Sequence, residues 1–260
     1  MEKRSRIRQF EYVGDRPGHL PANRLDEIFW SHDGPRVHKW HHYLEIYDKH
    51  FSRFVGRGDV RILEIGVAYG GSLSVWRKYF GASATIFGID IAPGCARMSG
   101  LDGQVRIGSQ TDPDFLASVV EEMGGVDIVI DDGSHQCAHI VRSFEILFPM
   151  LSDGGIYLAE DLHTNYWREF GGGYRRSGSF IELAKRMVDD INHNYHGRGQ
   201  EFAFARDLVS SVHFYDSIVV LDRRRALTPR HSVIGYAWQE SDPHPSLGTP
   251  ASGAETASGR

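Results

Sequence analysis

With 260 residues, 41% of them hydrophobic and 24% charged, the chain can build one large α/β domain with a sizeable core, and general disorder is excluded. A formal net charge of −5 leaves no concentrated basic face, which argues against nucleic acid as a substrate. No apolar run approaches bilayer length and Met1 to Arg6 lead into no signal core. The two cysteines, Cys95 and Cys137, read as free buried thiols, so a cytoplasmic location is expected. Residues 1–35 read as an arm; its first 28 residues show no clear period, and Pro17, Pro21 and Pro35 punctuate it. From residue 37 to 54, Trp40, Tyr43, Leu44, Tyr47, Phe51 and Phe54 recur at helical intervals and predict an amphipathic helix.

Residues 60–65 predict the first strand, and Gly66 opens a glycine-bearing turn into a helix over 71–79. The second strand, 84–89, ends at Asp90; the third, 104–107, ends in Gly108-Ser109-Gln110. Thr111-Asp112-Pro113 offers a cap with proline in the first turn for a helix that runs to Met123, where Gly124-Gly125 stops it. Residues 126–130 and 155–159 predict strands four and five around a helix over 136–147. An aromatic and glycine-rich loop comes next, with one more helix over 179–195. Strands 209–214 and 218–221 are separated only by Tyr215-Asp216-Ser217, too short for a parallel crossover, so they pair antiparallel. Residues 36–238 thus predict a doubly wound, Rossmann-like α/β sheet, mostly parallel with a C-terminal antiparallel hairpin, and 239–260 a disordered tail rich in Ser, Gly, Pro and Ala.

Such a sheet binds its ligand at the carboxyl ends of its strands, beside strand one. Glu64, Gly66, Tyr69 and Ser72 stand there, Asp90 is placed to accept hydrogen bonds from a ribose diol, and Gln110 is a candidate partner for adenine or, equally, a solvated loop glutamine. These features suit NAD and S-adenosylmethionine alike. Glu64 separates the two, because an acid there would repel a pyrophosphate but complements an ammonium and a sulfonium. Ala68 also interrupts the dinucleotide glycine pattern.

Two strands run into paired acids, Asp131-Asp132 followed by Gly133-Ser134-His135, and Glu160-Asp161. Strands four and five are neighbours in the usual doubly wound order, so these carboxylates converge and suit magnesium, which prefers oxygen ligands and keeps several waters. Side chains alternate along a strand, so Asp132 is assigned to the metal with Glu160 and Asp161, and Asp131 to the cofactor side. The bland alternative is that the acids cap helices or pair with Arg142 and Arg168. His135, three residues past Asp132, is the candidate general base, removing a proton from a metal-bound hydroxyl. His163, Thr164, Tyr166 and Trp167 are candidates for an acceptor wall, or for pinning their loop to the sheet. His38 and His42 have i,i+4 spacing without a third ligand.

The segments Asp131 to His135, Phe148-Pro149, Gly154 to Tyr157, Glu160-Asp161 and His213 to Val220 together resemble the mycinamicin-type deoxysugar O-methyltransferases, over roughly residues 36–222. The resemblance implies a class I methyltransferase fold, S-adenosyl-L-methionine and Mg2+ as cofactors, Asp132, Glu160 and Asp161 as metal ligands and His135 as base. It also implies a glycosylated small-molecule acceptor bearing a deoxysugar or rhamnose, and a homo-oligomer. Lys39-Trp40-His41-His42-Tyr43 is similar to the helix that closes over the cofactor in that family. The macrolide enzymes carry an additional N-terminal domain where this chain has a short arm. The competing expectations are a magnesium-dependent phenol or catechol O-methyltransferase, a nucleoside-binding subunit without catalysis, and an NAD oxidoreductase.

Overall fold

The computed structural model describes residues 18, 20–100, 102–197, 202, 204–225 and 229–235. The chain divides into one unit, Met1–Ala226, and a second, Leu227–Arg260. Of the latter only residues 229–235 are described, and they are exposed. The tail expected over 239–260 lies outside the described residues.

Seven strands form one sheet: β1 (Arg61–Ile65), β2 (Thr85–Asp90), β3 (Gln104–Ile107), β4 (Val126–Asp131), β5 (Leu151–Ala159), β6 (Val209–Phe214) and β7 (Val219–Arg223), in the order β3-β2-β1-β4-β5-β7-β6. β1 to β5 pair parallel, whereas β7 is antiparallel to both β5 and β6. The expected α/β sheet with a terminal hairpin is therefore present. The direction of strand connection reverses between β1 and β4, the position at which such sheets leave a crevice.

Helices cover both faces. α1 (Arg24–Trp30), α2 (His41–Phe51) and α3 (Gly71–Phe80) pack Tyr43, Tyr47, Phe51 and Trp76 on Ile62, Ile86, Ile128, Ile130 and Leu158. α4 (Pro113–Met123), α5 (Cys137–Leu147) and α6 (Phe180–Ile191) pack Leu116, Phe144 and Phe180 on Leu63, Ile89, Val129 and Tyr157. α7 (Ala205–Leu208) leads into β6. From Ile128 of β4 and Ile156 of β5 onward, odd-numbered positions thus face one helical layer and even-numbered positions the other, a parity that decides which acids meet. α4 begins and ends as its sequence predicts, with Asp112 accepting from the Asp114 and Phe115 amides and Gly124 left-handed at the C-cap.

Among the boundaries that differ from expectation, α6 ends at Ile191 and β7 runs on to Arg223, and three others bear on the site. α1 occupies residues read as part of an aperiodic arm; Asn23 caps it by accepting from the Asp26 amide, and Leu25 is its buried anchor. A helix this short, with one buried aliphatic anchor, leaves little periodicity to see. β5 starts at Leu151, because an irregularity in its pairing with β4 carries the strand through Gly154 and Gly155. α2 starts at His41, because Trp40 is extended (φ −68°, ψ 140°), and residues 37–40 lie outside any helix. That last difference moves Lys39 from a helix onto a strap.

Candidate active site

Gly66, with φ 94°, passes so close to the β4 loop that a Cβ would lie 2.1 Å from the Asp132 carbonyl oxygen. A Cβ on Gly71 would lie 2.3 Å from the carbonyl oxygens of Pro35 and Arg36. These two glycines let the β4 loop and the strap over 35–40 close on the first turn of α3. Between strap, β1 loop and the tips of β4 and β5 opens a cavity of about 370 Å³. A narrower groove of about 220 Å³ shares Gly66, Asp90 and Gly133 with it and runs between Ile65, Ile89 and Ile91 toward Gln110 and His139.

Strand parity sorts the acids. Asp131 follows Val129 onto the α5 face, 1% exposed, where its carboxylate accepts from Ser143 Oγ at 2.7 Å, Tyr157 Oη at 2.5 Å and Gln110 Nε2 at 3.2 Å. Burial pushes its carboxyl up, against the pull of those hydroxyls. Asp132 turns the other way, and its Oδ2 accepts from Lys39 Nζ at 2.6 Å. Glu160 lies on the same side as Asp132, and its Oε2 accepts from the same ammonium at 2.8 Å.

Alternation alone would send Asp161 to the opposite face from Glu160. Its left-handed backbone, φ 51°, turns it back instead, and its Oδ1 accepts from Tyr43 Oη at 2.8 Å and Trp40 Nε1 at 3.1 Å. His135 is left-handed too, φ 56°, and holds Nε2 3.7 Å from Asp161 Oδ2. Non-glycine residues in that region carry backbone strain that the surrounding contacts must hold. Here the Thr164 hydroxyl fastens the two loops, lying 2.7 Å from the Asp161 carbonyl and 3.3 Å from that of His135.

Lys39 gathers the acids. Beyond its two short contacts, Nζ lies 3.9 Å from Glu64 Oε1, and the acids keep it protonated against a burial cost that would otherwise lower its pKa. One ammonium does not neutralise this cluster. Burial pushes the Glu64 carboxyl up to about 7, only partly opposed by Lys39 and by the 2.6 Å bond from Ser72. Glu160 is also pushed up, first by burial and then by Asp132. Glu64 Oε1 and Glu160 Oε1 are buried without a hydrogen-bond partner among the described residues. Asp132, His135 and Asp161 each bring a ligand atom within 4.8 Å of the others. A surplus of negative charge, orphaned carboxylate oxygens and an oxygen-rich donor set fit a hard divalent cation.

Of the residues expected from sequence, Gly66, Tyr69, Ser72, Asp90, Asp132, His135, Glu160 and Asp161 line the cavity. Glu64 lies beneath it, fully buried, facing Ser72 and Lys39. Asp90 spends part of its carboxylate on the amides of Val67, Ala68 and Ala92; these outweigh burial and hold it below the usual range. Gln110 walls the groove, but its amide is committed to Asp131, Ser143 and the Ser134 amide. Asp131, expected on the cofactor side, does not line the cavity; pleating buries it behind the wall. The pairing of strand-end acids with Arg142 is not seen, since that guanidinium pairs with Glu145. Among the acceptor-wall candidates, Thr164 is a buried loop pin, His163 sits between Trp40 and Trp167 with Nδ1 2.6 Å from Ser217 Oγ, and Tyr166 is open to solvent. Sequence reasoning gave no individual role to Lys39, Ser143 or Tyr157, whose partners lie 12 to 121 positions away and leave no local pattern.

Residues 63–162 match the family model described as a methyltransferase domain. The chain is 39% identical over 201 residues to an 8-demethyl-8-alpha-L-rhamnosyl tetracenomycin-C 2'-O-methyltransferase of Streptomyces olivaceus, covering 72% of this chain and 52% of that protein. It is 38% identical over 183 residues to the mycinamicin VI 2''-O-methyltransferase of Micromonospora griseorubida, covering 65% of this chain and 44% of that one. The fold is similar to that of the mycinamicin-pathway methyltransferase MycE, solved in complex with Mg, SAH and mycinamicin VI, with a TM-score of 0.70 and 33% identity over 77% of this chain and 53% of that chain. The chain spans about half the length of the relatives it matches. By sequence and by fold, residues 63–162 form a methyltransferase domain, and the part of the chain that aligns is similar to the mycinamicin-type sugar O-methyltransferases.

Proposed function

We propose that the chain transfers a methyl group from S-adenosylmethionine to a sugar hydroxyl, of deoxysugar or rhamnose type, on a glycosylated natural product, with Mg2+ as cofactor. The observation that carries the proposal is the meeting of Asp132, Asp161 and His135 at the mouth of a cavity floored by Glu64 and Lys39. When bound, Mg2+ supplies a Lewis acid for the acceptor hydroxyl, and S-adenosylmethionine supplies the methyl group and leaves as S-adenosylhomocysteine.

Asp132, Glu160 and Asp161 are the carboxylates that would hold the metal. A sugar hydroxyl is a poor nucleophile while it keeps its proton. His135 takes that proton as the oxygen attacks the methyl carbon and the carbon–sulfur bond breaks. Asp161, whose Oδ2 lies 3.7 Å from His135 Nε2, stands beside the imidazole and orients it. Glu64 and Glu160 set a negative potential that favours a cationic donor, and Asp90 with the glycine-bearing β1 loop supports the ribose side. Gln110 keeps the wall of the adenine groove in place through the Ser134 amide. Tyr166 and Trp167 border the acceptor. The free, buried Cys95 and Cys137 fit a cytoplasmic enzyme, and no helix among the described residues is long and apolar enough to cross a membrane.

The test is methyl transfer to a panel of rhamnosylated and deoxysugar-bearing metabolites, beside catechols, with Mg2+ and with EDTA. Turnover confined to glycosides and lost in EDTA is expected. His135→Ala should keep S-adenosylhomocysteine affinity and lose at least about a hundredfold in kcat, the lower range for a general base. Preference for catechols, or near-wild-type kcat in that variant, would overturn the proposal.

A further inference from the structure

At the end of α2 opposite to Tyr43, three metal-type ligands from three elements converge. His50 comes from the last turn of α2, His213 from β6 and Asp222 from β7. Each offers an atom within 4.8 Å of the other two, and His213 Nε2 lies 3.0 Å from Asp222 Oδ2. Zinc–nitrogen and zinc–oxygen bonds of about 2.0 to 2.2 Å at tetrahedral angles place neighbouring ligand atoms roughly 3.3 Å apart, so that edge already has coordination length.

The ligands are held as metal ligands are held. Asp222 Oδ1 accepts from Arg53 at 2.6 Å, and Ser211 Oγ lies 2.7 Å from Oδ2, which fixes the carboxylate plane. His50 Nε2 is 2.8 Å from Tyr215 Oη, and the two imidazoles meet edge to face with centroids 4.8 Å apart. His50 is buried, whereas the His213 side chain is 37% exposed, leaving a solvent path on one side. Two imidazoles and one carboxylate select a borderline ion over magnesium, which demands oxygen.

We propose that His50, His213 and Asp222 form a second, structural site for a zinc-type divalent ion, with a fourth position left to water and the Tyr215 hydroxyl as outer partner of the His50 ring. Its effect is to staple α2 to the β6–β7 hairpin. That joint matters to the cavity, because Tyr43 of α2 reaches Asp161 and the hairpin turn holds His42 through the Asp216 carbonyl and His163 through Ser217. The competing description is a bare ion-pair network in which Arg53 and His213 serve Asp222 alone.

Zinc binding to the full chain in excess Mg2+ separates the two, read by retained metal after dialysis and, with Co2+ as probe, by the visible bands of a tetrahedral centre. Wild type should retain one zinc per chain, with tetrahedral cobalt bands. His213→Gln, at a partly exposed position that need not disturb the core, should weaken binding at least about a hundredfold, and Tyr215→Phe by about tenfold, as outer-shell partners commonly do. His135→Ala, in the cavity, should leave this zinc in place. An unchanged zinc content in folded His213→Gln, octahedral cobalt spectra, or no zinc retained by wild type would each overturn the proposal.

Discussion

Asp131 and Asp132 are neighbours in the chain, yet one is walled in by hydroxyls and the other takes an ammonium. Their separation was legible, because a pleated strand sends consecutive side chains to opposite faces. Its consequence for Asp131 was not, since nothing local marks Ser143 and Tyr157 as its partners. Glu64 gives the residue-scale prediction. Its carboxyl titrates near 7 in the ligand-free fold, above the ordinary 4.5. Below pH 4.5 both folded and unfolded chains hold this proton, and its stabilising contribution is complete. As pH rises from 4.5 to about 7 the unfolded chain releases the proton first, so stability falls, by at most about 1.4 kcal/mol per pH unit. Glu64→Gln should flatten that slope in urea unfolding between pH 5 and 7.5 without cofactor. An identical slope in both proteins would show that Glu64 is not the group responsible.

At the scale of elements, β4, β5 and α5 are joined by the buried Asp131, Tyr157 and Ser143, with Gln110 of the β3 loop completing the set. This network fixes the strand tips from behind while leaving the cavity untouched. Tyr157→Phe removes one hydroxyl from a carboxylate with no solvent to replace it. A bond to such a group contributes roughly 1.5 to 3 kcal/mol, so that much loss of stability is expected in urea unfolding, with little change in cofactor affinity. Wild-type stability, or a large selective loss of cofactor binding, would contradict this separation of roles. The elements themselves were largely readable: α4 announced itself through Asp112, Pro113 and Gly124, and the hairpin through the short link between its strands, the four residues between Phe214 and Val219. The errors fell where tertiary contact overrides a local pattern. The aromatic stripe of α2 continues past its true start, but Trp40 leaves the helix so that its indole can reach Asp161, and Lys39 goes with it into the acids.

On the scale of the whole molecule, the crevice between β1 and β4 joins two cavities: the groove running to Gln110 and the space at the tips of β4 and β5 share Gly66, Asp90 and Gly133 as a common wall. Ligands that bind the folded chain alone raise its stability by mass action, about 2.7 kcal/mol at a hundred times Kd. For a domain of this size each kcal/mol moves Tm by roughly 2 to 4 °C, so S-adenosylhomocysteine should raise Tm by about 5 to 10 °C. NAD should raise it by none, because Glu64 and Glu160 repel a pyrophosphate in the same crevice. Mg2+ should add a further increment through Asp132 and Asp161, since the acids around the cavity carry more negative charge than the Lys39 ammonium offsets. Asp132→Asn should therefore abolish the magnesium increment and keep the S-adenosylhomocysteine shift, since Asp132 faces the strap and not the groove. An equal rise with NAD, or a magnesium increment that survives in Asp132→Asn, would mean that the strand-tip acids are not the cation's seat.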